Sequence, residues 1–269
     1  MQHVKPEVFL IAKTNTTHGL YGFIKALGAE SWWDEWEEDH GMLVDPGERL
    51  IECASRMCYM AFGDDAPALN PNITRTRSDR MGYIENILKH KHGSVLEHVH
   101  VSFGFKDVSR VFTHELVRHR LANVSQTSLR FVRLTDLNAF FPEIFEHHPR
   151  SEEIKSLFNS TFETLEDVQL QLAQMLDLDS NIPFSMKKRM TSAMRRLAPI
   201  GLTTHIIFTT NLRQWRNILE QRATSEAEEE FRHVMGPVGH MLQDIYPAVF
   251  QDMFFDHENS TFELRHSKV

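Results

Sequence analysis

The stretch RHRLANVSQTS, from Arg118 to Ser128, concentrates groups that could hold an anion. Arg118 and Arg120 flank His119, and seven residues then lead to Ser128. Guanidinium groups meet phosphate or carboxylate oxygens bidentately and keep their charge at any working pH. Cations at a helix C-terminus would stabilise it by about 0.3–1 kcal/mol each, which explains the charge but not the whole set. We therefore predict an anion site over which Ser128 and Arg130 close from a polar loop.

Ser128 could also suggest a nucleophile, but the sequence favours a binding hydroxyl. A serine nucleophile needs a base that a third group orients, and the chain has no nucleophile elbow. Cys53 and Cys58 fall on a predicted helix among ordinary apolar residues, so we predict structural thiols. Glu115 lies three residues before Arg118 and would share its helical face. The predicted chemistry is the holding of a charged ligand without covalent attack by the protein.

The sixteen histidines raise the question of a metal site. The zinc motif HExxH needs its second histidine four residues after the first, and in HELVRH that position is Arg118. HGSVLEH likewise misses the inverted HxxEH spacing. The chain also has no GxG step and no GxxxxGK[ST] loop to cradle a nucleotide phosphate. We expect no metal site, and we expect side chains and helix ends to hold any phosphate.

Three strands are predicted from the apolar pattern. Residues 98–105, HVHVSFGF, alternate strictly between the two faces. The apolar face comprises Val99, Val101, Phe103 and Phe105. Residues 203–210 form a second strand, and the short run EVFLIAK at 7–13 predicts a buried first strand.

Helices account for most of the remaining pattern. A helix capped by Asp107 or Ser109 should carry Arg118 to Arg120 at its C-terminal end. Pro237 should break or kink the last helix, because proline lacks a backbone N–H. The other predicted helices span residues 47–61, 78–91, 151–178, 184–197, 212–222 and 225–245.

We predict a single domain of residues 1–269, because this length can bury one core and no repeat, low-complexity tract or linker divides the chain. Residues 29–41, AESWWDEWEEDHG, mix three tryptophans with six acids. The segment could be an amphipathic surface helix, a partner-binding patch or a lid. We favour the surface helix and treat residues 29–46 as a surface insertion.

The overall composition limits the class of protein. A formal charge of −8 argues against a protein that grips nucleic acid non-specifically, since that mode needs a basic surface. Two cysteines without CxxC spacing make no disulfide framework, which favours a reducing, cytoplasmic setting. The N-terminus lacks a signal-peptide layout, and no stretch approaches the ~18 apolar residues of a membrane span. We expect a soluble protein.

Several motifs follow one another along the chain in a recognisable order. SVLEH, SRVFTHELVRHR and the RHR run with its serine come first, and AMRRLAP, TTNLRQWRNILEQRA and YPAVF follow. Together they resemble the signature of the flavin-dependent thymidylate synthases of the ThyX type. The likeness extends from VFLIAKT to PAVF and is weakest over residues 29–41. It implies a ThyX-like α+β fold with an antiparallel or mixed sheet packed by helices.

The resemblance also implies an activity. Members of the family are methyltransferases that make dTMP from dUMP, with 5,10-methylenetetrahydrofolate as the carbon donor. NADPH supplies the hydride through FAD. Family sites combine residues from more than one subunit, which implies a homotetramer, and neither a nucleic-acid polymer nor a membrane is implied as a partner.

Individual residues are assigned by the same resemblance. Those implied to contact FAD are Ser94, Arg118, His119, Arg120, Gln126, Asn211, Leu212, Arg213 and Asn217. Those implied to contact dUMP are Glu115, Leu116, Val117, Arg118, Gln126, Thr127, Ser128, Leu129, Arg130, Arg195 and Arg222. Lys188 and Arg110 are further cations implied near the nucleotide or folate. Arg222 is the implied catalytic residue, because a fixed cation facing the pyrimidine would stabilise negative charge as C5 becomes nucleophilic.

Three positions depart from the family pattern. Leu129 stands where Gly or Gln is frequent, Phe131 where Tyr is usual, and Glu226 where many members have His. The departures leave open a related flavoenzyme that methylates or hydroxymethylates another pyrimidine nucleotide such as dCMP. A non-catalytic RNA-binding protein is the alternative from a different class, and it predicts colourless protein with steeply salt-dependent RNA binding.

Overall fold

The computed structural model describes residues 2–40, 44–63, 76–131 and 137–269, except for the side chains of residues 39 and 40. Helices make up 51% and strands 17% of the structure, which confirms the predicted α+β class. The helices are α1 His18–Ala26, α2 Glu30–His40, α3 Pro46–Tyr59, α4 Arg80–Lys89, α5 Arg110–Leu116, α6 Glu143–Glu146, α7 Ser151–Met175, α8 Phe184–Met194, α9 Leu212–Arg222 and α10 Glu229–Ile245. Short 3-10 helices span Gly93–His98 and Arg195–Leu197.

The strands form two sheets. Their bounds are β1 Glu7–Lys13, β2 His100–Ser109, β3 Ala122–Gln126, β4 Thr203–Asn211, β5 Met253–Asp256 and β6 Thr261–Leu264. The larger sheet has the order β1-β2-β4-β3, so the connections between its strands are not those of a simple meander. β5 and β6 form an antiparallel hairpin that begins with Met253 opposite Leu264.

Contacts divide the chain into two compact units. Unit 1 comprises Met1–Phe9, Gly104–Phe208 and Glu228–Glu230, and unit 2 comprises Leu10–Phe103, Thr209–Ala227 and Phe231–Val269. The boundaries fall inside β1, β2, β4 and α10 and between Ala227 and Glu228, so neither unit is a continuous segment of the chain. The single domain remains a prediction.

The core of unit 2 is organised around Trp215 of α9. Its indole Nε1 donates to the carbonyl of Val101 at 3.2 Å, and its ring meets that of Phe103 edge-on at 5.1 Å. The backbone N–H of Leu212 donates to the carbonyl of Val99 at 2.9 Å. The four residues that were predicted to face inward are all buried, which confirms the alternation seen in the sequence: Val99, Val101, Phe103 and Phe105. Burying such side chains stabilises the fold by roughly 1.5–3 kcal/mol each.

Arg216, also on α9, is a buried cation that joins distant segments of unit 2. Its guanidinium donates to both carboxylate oxygens of Asp252, at 2.8 and 3.0 Å. It also donates to the carbonyls of Val249 at 2.6 Å and His266 at 3.1 Å. Burial raises the pKa of Asp252, but the hydrogen bonds and charge of Arg216 outweigh it, and the pKa lies below its usual value. The pair is therefore ionised and held on several sides.

α2 packs its tryptophans onto α3. Trp32 and Trp36 are buried, and their indole N–H groups donate to the two carboxylate oxygens of Glu52 at 3.4 and 3.2 Å. Arg56 completes the group by donating to Glu52 at 2.8 Å. Asp34, like the other acids of the middle turns, is exposed. The segment is thus an amphipathic helix with a well-buried side, and its status as an insertion remains a prediction.

Several predictions about elements were wrong. β1 is a strand as predicted, but it is an edge strand and mostly exposed, with Phe9 and Ile11 about half open to solvent. α10 runs through Pro237, so the predicted break is wrong, and the alternative of a kink stays a prediction. α5 ends at Leu116, before the RHR run. α1, β3 and the β5–β6 hairpin were not predicted, and residues 64–75, between the predicted helices 47–61 and 78–91, lie outside the described residues.

Candidate functional site

In unit 1, the start of α5 is held by a buried carboxyl. Ser109 caps the helix, since its hydroxyl accepts from the N–H of Phe112 at 3.2 Å. The Ser109 N–H donates to Glu230 Oε1 at 2.6 Å, and the Ser109 hydroxyl donates to Glu230 Oε2. Burial raises the pKa of Glu230 to about 7, although both hydrogen bonds from Ser109 lower it. Ser109 was one of the two predicted caps, and the contact with Glu230 was missed because 121 residues separate the partners.

The RHR run follows α5 as a turn. The N–H groups of Arg118 and His119 donate to the carbonyls of Glu115 and Leu116, at 3.3 and 3.1 Å. Arg118 and Arg120 are exposed, whereas His119 is buried. The two arginines therefore lie beyond the helix, and the turn directs them to solvent on either side of a buried imidazole.

β3 and the turn after it place the next group of predicted residues. Gln126 Nε2 donates to Thr113 Oγ1 of α5 at 3.1 Å, and the N–H of Thr127 donates to the carbonyl of His205 on β4 at 2.9 Å. The Ser128 hydroxyl accepts from the N–H of Arg130 at 3.3 Å. Ser128 thus stabilises a turn, and its role as a binding hydroxyl stays a prediction.

Three arginines of unit 1, Arg110, Arg130 and Arg195, lie in or near this part of the chain. Arg110 Nη2 donates to the carbonyl of Thr127 at 3.3 Å. Burial lowers the pKa of Arg110, and the charge of Arg195 lowers it further, so these two cations are close together. The Nε atoms of Arg110 and Arg130 are buried and have no hydrogen-bond partner among the described residues. Unpaired buried donors beside like charges are costly, and an anion would relieve both costs.

An aromatic pair borders the same loop. Phe131 is exposed and stacks on Phe184 of α8, with centroids 6.3 Å apart. Lys188 Nζ lies 5.8 Å from the centroid of Phe131. Thr191 of α8 donates to the carbonyl of Arg130 at 2.9 Å, which ties α8 to the loop. Lys188 is therefore close to the loop, its predicted place near the nucleotide or folate stays a prediction, and Leu129 packs beside a separate apolar cluster.

The residues of unit 2 that were implied to contact FAD lie on α9 and the 3-10 helix Gly93–His98. Asn211 caps α9, and its side chain accepts from the N–H of Gln214 at 2.9 Å. Arg213 donates to Glu97 Oε1 at 2.6 Å and to the carbonyl of Val269 at 2.9 Å. Ser94 is exposed at the surface of the 3-10 helix.

Further along α9, Asn217 and Arg222 complete the predicted set of unit 2. The Asn217 side chain accepts from Gln221 Nε2 at 2.8 Å. Arg222 ends the helix, and its guanidinium carbon lies 5.6 Å from the centroid of Phe231. Glu226, one of the departures from the family pattern, is exposed in the loop that follows.

Two predicted site residues have fully buried side chains. Leu116 and Leu212 both have no exposed surface. Their side chains belong to the core, and their backbone atoms are equally closed to solvent, so a direct contact with a ligand stays a prediction for both. Leu212 already donates its backbone N–H to Val99. A motif records which residue type stands at a position. It does not distinguish a residue that contacts the ligand from one that packs in the core beside the site.

The predicted residues fall into two groups. Unit 1 brings together the residues of α5, the RHR turn, the loop after β3 and Arg195, whereas unit 2 holds the residues of α9 and Ser94. No helix in the described part of the chain is long and apolar enough to cross a membrane. In the same ranges, no group of three or more histidine, cysteine or acidic side chains could hold a metal ion.

Comparison with known proteins adds sequence relationships to this geometry. The family described as "Thymidylate synthase complementing protein" matches residues 43–248. A flavin-dependent thymidylate synthase of Mycobacterium avium is 32% identical over 219 residues, which cover 81% of this chain and 82% of that protein. The flavin-dependent thymidylate synthase of Corynebacterium diphtheriae is 30% identical over 221 residues, with the same coverage of both chains.

Proposed function

The chain belongs to the family of flavin-dependent thymidylate synthases, and from this membership we propose that it methylates dUMP reductively to dTMP. In the proposed reaction, 5,10-methylenetetrahydrofolate donates the carbon unit and NADPH supplies the hydride through FAD. Family membership supports this activity over the alternatives of dCMP modification, hydroxymethyl transfer and RNA binding. It is the activity of a methyltransferase.

The observation that supports the substrate is the unsatisfied cationic group of unit 1. Arg110 and Arg130 each bury an Nε that has no partner among the described residues, and Arg195 adds a nearby charge. The dUMP phosphate carries close to two negative charges and offers several acceptor oxygens, so it suits this set. Arg130, Arg195 and the Ser128 hydroxyl would hold the phosphate, while Gln126 and Thr127 would orient the nucleotide.

The donors of unit 2 fit a flavin dinucleotide. Arg213 offers a cation near the surface. Asn217, on the same helix, and Ser94, on the 3-10 helix Gly93–His98, offer neutral polar groups. A dinucleotide has an anionic diphosphate and many hydroxyls, which need this mixture. Arg118 and Arg120, both exposed in unit 1, are two further cations that we propose to contact FAD. Bound FAD supplies hydride transfer, and the protein supplies position and electric field.

Arg222 is the proposed catalytic residue. Its guanidinium would face the pyrimidine and stabilise negative charge as N3 ionises and C5 becomes nucleophilic. No protein nucleophile is then required. Burial, with a smaller effect of the neighbouring Glu52, raises the pKa of Cys53 to about 11, so its thiolate is scarce at neutral pH.

We also propose a homotetramer whose sites combine residues of different subunits. Apolar side chains around the RHR turn support it: Val117, Leu121, Val124 and Ile207 of unit 1 are each more than 40% exposed. Neighbouring apolar groups left open to water favour association with another surface. A second copy of the chain would cover them.

Release of tritium from C5-labelled dUMP tests the proposed activity. Purified protein should be yellow, and with reduced flavin and methylenetetrahydrofolate it should release tritium and form dTMP. Arg222→Lys keeps a charge but loses the planar fork, so it should slow release strongly while nucleotide binding persists. Folded yellow protein that releases no tritium from dUMP, or that releases it only from labelled dCMP, contradicts the proposal.

A further inference from the structure

The tail, residues Arg265–Val269, follows β6 and is anchored at its start within unit 2. Arg265 Nη2 donates to Glu85 Oε1 at 2.8 Å, and His266 Nε2 lies 2.8 Å from the same oxygen. The N–H of His266 donates to Asp252 at 2.9 Å. These contacts fix the direction in which the tail continues.

The end of the tail reaches α9. The N–H of Lys268 donates to Glu220 Oε2 at 3.0 Å, and the carbonyl of Val269 accepts from Arg213 Nε at 2.9 Å. Arg213 Nη1 donates to Glu97 at 2.6 Å. Two of the three nitrogens of this guanidinium are therefore engaged by the chain itself, one of them by the tail.

Gly93 shows how closely the tail fits. A Cβ at this position would lie 2.5 Å from the carbonyl carbon of Val269 and 2.8 Å from Arg213 Nε, and real side chains do not approach so closely. Only glycine leaves room for the tail between the backbone before Ser94 and the guanidinium of Arg213. The tail thus lies against Arg213, one of the residues that unit 2 would offer to the flavin, and against Gly93, the neighbour of Ser94.

We propose that the tail is an autoinhibitory strap that competes with FAD for Arg213. The inference rests on the proposed function, in which Arg213 and Ser94 contact FAD. A flavin diphosphate would use the donor that the tail occupies, Arg213 Nε, so Arg213 must leave the carbonyl of Val269 before it can bind the cofactor fully. Because each ligand of Arg213 excludes the other, FAD must loosen the tail to the same extent as the tail weakens FAD.

Removal of the last three residues of the tail tests the strap. A variant that lacks Ser267–Val269 keeps the anchors at Arg265 and His266 but frees Arg213 Nε. We expect its Kd for FAD, measured by quenching of flavin fluorescence, to fall by about tenfold, because a hydrogen bond to a charged group is worth about that factor. A tail that is merely structural would raise the Kd or leave it unchanged, and either result overturns the proposal.

Lys268→Ala is the matched control, since it removes a charge but keeps the backbone contacts of the tail. Its Kd for FAD should equal that of the unaltered protein. If the deletion destabilises the fold, Glu220→Ala provides a second route, because it releases the N–H of Lys268 from a side chain that is not assigned to either ligand. It should lower the Kd in the same direction, and failure to do so contradicts the strap.

Hydrogen exchange gives a readout that does not depend on the variants. Saturating FAD should speed exchange at the amide of Lys268 in the unaltered protein. Unchanged exchange together with normal FAD binding refutes the strap and leaves the proposed function intact. Absence of FAD binding in every variant, including the tail deletion, contradicts the proposed function and removes the premise of the strap.

Discussion

At the scale of single residues, Arg195 and Arg196 have different surroundings although they are neighbours in one 3-10 helix. The charge of Arg195 acts on the buried guanidinium of Arg110, whereas Arg196 donates to the carbonyl of Ser192 at 3.1 Å. We predict that Arg195→Gln raises the Kd for dUMP by about tenfold or more, since a charge-assisted bond to phosphate is lost.

Arg196→Gln is the matched control for this prediction. It removes the same charge from the same helix, and the Kd should change by less than about twofold because screened surface charges act weakly. Titration calorimetry measures both values. Equal losses of affinity in the two variants would show that overall positive charge, and not a specific contact with Arg195, attracts the nucleotide.

The pKa of Glu230 makes the stability of the fold depend on pH. Burial raises the pKa of Glu230 in the folded state to about 7, from an ordinary value of 4.5, so between these pH values the folded state holds a proton that the unfolded state has released. This stabilisation is present below pH 4.5 and is lost as pH rises through 7. The total is about 3 kcal/mol from the size of the shift.

Glu230→Gln should remove this dependence while it keeps an acceptor for the N–H of Ser109. Urea unfolding from pH 5 to pH 8 should show that the stability of the unaltered protein falls relative to that of the variant. Glu226→Gln, at an exposed acid, should follow the unaltered protein. Parallel curves for Glu230→Gln and the unaltered protein would mean that Glu230 titrates normally.

At the scale of elements, two glycines of α10 lead to opposite expectations. A Cβ at Gly239 would collide with the ring of Phe262 on β6, whereas one at Gly236 would come no closer than 4.0 Å to Phe255. Gly239→Ala should destabilise the protein by about 1–3 kcal/mol through overpacking. Gly236→Ala should stabilise it by roughly 0.5–1 kcal/mol through helix propensity, and thermal unfolding compares the two. If both substitutions stabilise the protein, β6 and the ring of Phe262 move aside at little cost to make room for the new methyl group.

Periodicity predicted the elements whose apolar side chains all face one core. β2, α3 and α9 match closely, because alternate or helical spacing leads directly to burial there. β1 has a strand composition, but its place at the edge of the sheet decides its exposure. α10 continues through Pro237 because Val234, Val238 and Leu242 are buried, and their packing outweighs the lost hydrogen bond.

The candidate site was predictable to the extent that motifs identify residue types. The RHR run, Ser128 and the arginines were found from the sequence, and the structure of each unit places many of them close together. The support from Glu230 to Ser109 was not predictable, because its partners are far apart in the chain. The burial of Leu116 and Leu212 was also hidden, since a motif records a position and not the direction of its side chain.

At the scale of the whole molecule, the apolar side chains around the RHR turn predict self-association. Leu121 is 75% exposed, so Leu121→Arg should shift the protein toward smaller species by placing a charge in the proposed contact. Leu157→Arg on α7 is the control, at an apolar residue that is 67% exposed. Light scattering measures the mass. An unchanged tetramer in the Leu121 variant would place the interface elsewhere.

The buried contacts of Arg216 affect the order in which parts of the protein can fold on the ribosome. Its guanidinium is satisfied only by carbonyls and a carboxylate between Val249 and His266, so α9 lacks these partners while the later residues are still being translated. A lone buried cation is strongly unfavourable. We therefore expect the nascent chain to keep α9 loosely docked until residue 266 has emerged, so the residues of α9 that are proposed to contact FAD would take up their positions only after that point.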